Sequence, residues 1–177
     1  MSTQTPVCGN VLIGNYVVND VVGFGSHTLY GQFTANADDT PTAIWMNLTA
    51  SVGATVTLAI FDDNTGQPGK ILAFGISSNS CTYGGCWSRF PIAGSPFLSS
   101  GTAYWLAVYM VNGAVGYDHS GGIYLTKGGT LINADFVPGG TSSSTGRLCL
   151  YADPCGDAVH FPTVTPILTS TPIGSGI

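Results

Sequence analysis

The sequence predicts an all-β protein, an antiparallel β-sandwich with extended terminal arms, on three observations. Charged residues are only 7% of the 177, against roughly 25% in ordinary soluble domains. All nine acidic residues are Asp and Lys occurs only as Lys70 and Lys127, so the usual helix-surface residues are absent or scarce. Gly numbers 25, and Thr, Ser and Val are abundant, which favours strands and turns. Finally, the apolar runs are short, alternate with a period of two, and are separated by Gly, Pro, Asn and Asp. The length suits one domain with a sizeable core.

Taken in order, residues 1–10 read as an N-terminal arm and 11–157 as the sandwich. Val11 to Phe24 alternates loosely and is broken at Gly14-Asn15 and Asn19-Asp20, predicting two short strands. Thr28 to Thr34 and Ala43 to Ala50 follow as strands, separated by a loop that contains Asp38-Asp39-Thr40-Pro41. Trp45 faces opposite to Ile44 and Met46, and reads as a core or inter-sheet residue. In Thr55 to Phe61, Val56, Leu58 and Ile60 form a clean apolar face. Asp62 to Gly69 is dense in turn formers, and Lys70 to Ile76 returns as the next strand.

Ser77 to Gly85 is a small-residue loop, and Trp87 to Ile92 a short strand. Ser100-Gly101 then feeds the most apolar stretch. Tyr104, Leu106, Val108 and Met110 line one face, with Trp105, Ala107 and Tyr109 on the other. A strand apolar on both faces lies between a core and a second covering surface. Asn112-Gly113 predicts a type I′ hairpin returning into Ala114 to Tyr117. Gly121 to Thr126, Leu131 to Val137 and Arg147 to Tyr151 complete the set, with Gly139 to Gly146 as a flexible loop tip.

Residues 158–177 differ from the rest. Pro162, Pro166 and Pro172 exclude a helix or a central strand but permit an extended arm. Val164, Ile167, Leu168 and Ile173 make this uncharged arm a candidate for strand addition to a neighbouring subunit; packing back on its own domain is the competing reading.

The segments Thr57-Leu-Ala-Ile-Phe-Asp-Asp, Gly66-Gln-Pro-Gly-Lys-Ile-Leu-Ala and Phe97-Leu-Ser-Ser-Gly-Thr-Ala-Tyr-Trp-Leu-Ala-Val carry a resemblance. Residues 43–109 resemble a jelly-roll module found in phage virion proteins and secreted bacterial surface proteins. The resemblance implies a jelly-roll sandwich and leaves function open, since such modules serve as adhesins, binding modules and virion parts.

Of the five cysteines, Cys81 with Cys86 and Cys149 with Cys155 enclose short Gly- or Pro-containing segments and are expected as disulfides. A zinc site is the rival reading, with wider spacings than zinc knuckles use, and free buried thiols are a third. Cys8 is left over. Asp62, Asp63 and Asn64 have the oxygen chemistry of Ca²⁺ ligands, and their composition is equally that of a plain turn; no other cofactor is expected. His27, His119 and His160 show no metal-binding or catalytic spacing. Asp118-His119-Ser120 are consecutive, and adjacency is not triad geometry. Trp87, with Tyr83 nearby, is the best candidate for stacking on a glycan.

A net charge of −5 with four Lys and Arg argues against nucleic acid, because so few cations cannot neutralise a phosphate track. No run reaches the ~20 apolar residues of a membrane span. A surface this poor in charge has little electrostatic protection against self-association. The N-terminus lacks the basic and apolar regions of a signal peptide. The expectation is therefore a non-catalytic, self-assembling subunit on a virion surface, such as a decoration, head-fibre or tail-associated protein. Its partners would be its own copies and other virion proteins. An extracellular filament subunit and a module adhering to cell-surface glycans or receptors are the alternatives.

Overall fold

The computed structural model describes residues 11–153 apart from 24, 26, 50–52, 80–85 and 132. They form eleven strands and, among the described residues, no helix. In chain order these are β1 (Ile13–Gly14), β2 (Asp20–Gly23), β3 (His27–Thr34), β4 (Ala43–Thr49), β5 (Thr55–Asp63) and β6 (Pro68–Ser78). They continue with β7 (Cys86–Pro91), β8 (Ala103–Met110), β9 (Ala114–Gly128), β10 (Thr141–Leu148) and β11 (Leu150–Asp153). Every pairing is antiparallel.

The strands make one continuous sheet folded over on itself as a sandwich. In one layer β4 is flanked by β7 on one side and by β11 and the start of β9 on the other. In the second layer the order runs from the end of β9 through β3, β8 and β5 to β6. The alternation of β4, β5 and β8 decides which side chains meet. Ile44, Met46 and Leu48 face Val56, Leu58, Ile60, Leu106 and Val108 in a single core, each at most 1% exposed. Each such side chain contributes roughly 1.5–3 kcal/mol when fully buried.

β8 is covered on both sides, as its two apolar faces predict. Trp105 and Ala107 join Tyr30, Ala59, Phe61, Leu125 and Leu131 in a second cluster outside the sandwich. A strap made of residues 129–131 and 133–137 lies over that cluster. Thr28 Oγ1 donates to the Gly129 carbonyl (2.9 Å), Phe136 N–H donates to the Gly69 carbonyl (2.9 Å), and Ile71 N–H donates to Asp135 Oδ1 (2.9 Å). The Phe136 ring meets Tyr30 edge-on at 5.3 Å, and Lys127 Nζ lies 4.4 Å from the Phe136 centroid.

Four local expectations are corrected. Asn112-Gly113 does not make a hairpin, because both edges of β8 are occupied by β3 and β5; the link carries the chain across to the other layer, with Asn112 alone of the pair at positive φ (55°). Gly121 and Gly122, at φ 63° and 83°, bend β9 without ending it, so two expected strands are one of 15 residues. The described residues of the expected strand 131–137 belong to the strap and form no strand. Gly139 to Gly146 is not a loop tip: Thr141 to Thr145 pair with Lys127 to Ile123, and the β9 ladder holds this Ser-rich segment extended.

Candidate functional site

Trp87 lies on the outward side of its layer, packed beside other aromatic rings. Trp87 sits opposite Asn47 on β7, half-buried, with its ring 5.2 Å from that of Tyr151. Tyr151 is 1% exposed and stacks on Trp45 at 6.2 Å with the planes 10° apart. Trp45 is thus buried on the outward side of its layer, opposite to Ile44 and Met46 as the alternation of β4 predicts. Burial, reinforced by the Asp153 charge, pushes the Tyr151 hydroxyl above the ordinary tyrosine range. Tyr83 lies outside the described residues.

The acidic turn serves the backbone. Asp62 Oδ1 accepts from Lys70 N–H (2.5 Å). Asp63 Oδ1 accepts from Trp105 Nε1 and from Gln32 Nε2, both at 2.7 Å, and Oδ2 from Gly66 N–H at 3.1 Å. Burial raises the Asp63 pKa, but these three donors outweigh it and hold the carboxyl below the usual range. Asn64 closes the turn through backbone bonds with Gln67. Among the described residues no group of three or more His, Cys, Asp and Glu is placed to hold a metal ion.

Asp118, His119 and Ser120 do not converge. Asp118 Oδ1 accepts from Asn19 Nδ2 (2.8 Å) and from Ser120 N–H (3.0 Å), and Oδ2 accepts from the Ser120 hydroxyl. Burial raises its pKa and these bonds, with the Arg147 charge, lower it to a net depression. His119 Nε2 lies instead 3.4 Å from Asp20, which leaves no imidazole between the hydroxyl and Asp118.

Cys149 corrects one expected disulfide. It is a buried free thiol whose Sγ donates to the Val17 carbonyl, so the pairing with Cys155 is not formed. The cause is its place at the break between β10 and β11. Its N–H bonds to the Gly116 carbonyl (2.7 Å) and its carbonyl accepts from Asn47 N–H (3.1 Å), which fixes the side chain inside the layer. Burial, with the Asp118 charge adding, pushes the thiol up to about 12. Cys86 is disulfide-bonded, with its partner outside the described residues, as are Cys8, Cys81 and Cys155. The arm residues Val164, Ile167, Leu168 and Ile173 also lie outside them.

The surface also carries exposed apolar side chains. Among the described residues the large exposed hydrophobic side chains are Val21, Ile76, Phe97, Val111, Ile123 and Val137. On the outward face of the second layer, Ile76 is 63% exposed at the end strand β6, beside Thr57 and then Tyr109 in register. Val137 stands on the strap at 70% exposed. Three charges near this face are engaged within the chain, Asp63 as above, Asp135 by Ile71, and Lys127 by Phe136 and the Val137 carbonyl, while Lys70 on β6 is exposed. This face was missed in the sequence because its members come from four separate segments.

No protein-family model, curated protein or solved structure matches the chain.

Proposed function

We propose that this protein is a non-catalytic structural subunit that assembles with copies of itself on the outside of a virus particle. The observation that carries the reading is the outward face of the second layer. It presents Ile76 and the strap's Val137 to solvent while Asp135 and Lys127 are engaged within the chain. In a chain with 7% charged residues and a net charge of −5, the repulsion between two copies is spread thinly and salt screens it, so it opposes contact between two such faces only weakly. A second copy, carrying the same exposed apolar side chains, is the occupant that matches a face with so little charge. The virion setting rests on the jelly-roll resemblance of residues 43–109.

The test is electron microscopy together with light scattering on the wild type and on Ile76→Asp. An exposed substitution of this kind costs about 0.5 kcal/mol or less in folding, so the variant stays folded. Wild type forming regular particles or fibres, and Ile76→Asp remaining smaller at equal concentration, supports the proposal. Wild type that stays monomeric at high concentration refutes it.

A further inference from the structure

Where the bend of β9 crosses the ends of β1 and β3, there is a cavity of about 260 Å³ lined by Gly14, Gln32, Phe33, Thr34, Asn36, Gly122 and Arg147. We propose that it binds one sugar ring carrying a carboxylate, a saccharide acid of the uronate kind, with Arg147 reading the carboxylate. The inference is independent of self-assembly.

The polar groups are oriented by bonds made elsewhere. Gln32 must turn its Nε2 to Asp63, because a carboxylate only accepts, and that leaves Oε1 without a described partner. Asn36 likewise donates Nδ2 to the Val11 carbonyl (3.0 Å), leaving Oδ1. Two amides in the lining therefore have acceptors to offer. Arg147 supplies the opposite chemistry. No hydrogen bond or ion pair among the described residues engages its guanidinium, and Asp118 feels its charge without pairing with it. Its stem lies against Gly122, where a Cβ would come within 2.6 Å of Arg147 Cγ. That glycine, at φ 83°, makes the room in which the side chain rests.

A ligand that satisfies this set has a planar anionic acceptor for the guanidinium fork and hydroxyl donors for the two amide oxygens. Thr34 adds a hydroxyl of either sense. The nearby Asp118 and the net charge of −5 oppose a dianion such as a phosphate monoester, which favours the singly charged carboxylate. The volume is below the ~300–1,000 Å³ of sites for drug-sized ligands, so one ring fits and an oligosaccharide does not enter whole.

The experiment titrates sodium glucuronate into the ¹⁵N-labelled full chain, following the backbone amides and the Arg147 Nε–H. Glucose serves as the uncharged control. Saturable shifts at the cavity residues are expected, with a dissociation constant on the order of 1 mM, at least ten-fold tighter than for glucose. Arg147→Met keeps the stem packed on Gly122 and removes the fork. Asn36→Asp is an exposed change that sets a carboxylate against the ligand's own. Each should weaken binding at least ten-fold with the rest of the spectrum unchanged, and either alone decides if the other misfolds. Glucose binding as well as glucuronate, affinity retained in a folded variant, or no saturable shift overturns the proposal.

Discussion

Seven aspartates, Asp20, Asp38, Asp39, Asp62, Asp63, Asp118 and Asp135, each accept a hydrogen bond from a backbone N–H. That use accounts for Asp at seven of the nine acidic positions. The short side chain reaches an amide of its own turn or of the crossing segment, and Glu is one methylene too long for the local bonds. Asp63 shows the energetic stake, because the indole whose N–H it accepts is 1% exposed. Asp63→Ala leaves that donor buried and unpaired, and should lower stability by about 1–3 kcal/mol. Urea denaturation followed by tryptophan fluorescence measures it; an unchanged midpoint would show that the indole finds another acceptor. The sequence marked these carboxylates as turn formers or calcium ligands. Neither label reveals that Asp63 anchors Trp105 across two strands, since the pairing of β5 with β8 is what brings them together.

Among the elements, β9 and β10 hold the two layers in one sheet, and glycines decide where they turn. At Gly146 φ is 127°, and a Cβ there would fall within the Tyr117 ring, 2.2 Å from Cε2. Gly121 also has positive φ (63°), but nothing lies within 4 Å of its would-be Cβ. Gly121→Ala should therefore cost only the backbone penalty of about 1–2 kcal/mol. Gly146→Ala should cost at least about 2 kcal/mol more, because the Tyr117 ring must leave and surrender its hydroxyl bond to the Thr145 carbonyl. Paired thermal melts test the ordering, and equal losses would refute the steric account.

The same elements show what was legible in advance. Val56, Leu58 and Ile60 alternate, and that period of two puts all three on one face of β5, the face that enters the sandwich core. The two apolar faces of β8 foretold both the core and its outer cover. β10 was illegible because Thr141 to Thr145 carry no apolar pattern and pair only by virtue of β9 beside them. Asn112-Gly113 misled because its local φ preference is blind to the occupied edges of β8. The Arg147 cavity draws on four distant segments, so no spacing announced it.

For the whole molecule, the titrating groups predict a stability plateau bounded on both sides. Asp63 and Asp118 have folded pKa values below their ordinary ones. Their contribution is complete above the unfolded value of roughly 3.9 and is lost as pH falls through the folded values. At the alkaline end the sign reverses. The Cys149 thiol rises from 9.0 to about 12 on folding, so between those values the unfolded chain binds fewer protons and stability falls as pH rises. The slope for one proton is at most about 1.4 kcal/mol per pH unit. Cys149→Ala removes this group while keeping a small apolar side chain, at a cost of about 1 kcal/mol at neutral pH for the lost bond to Val17. Urea unfolding of both proteins from pH 7 to 11 should show the wild-type advantage shrinking above pH 9. Parallel curves would mean that the thiol titrates alike in both states and that its burial at the β10–β11 break is not maintained in solution.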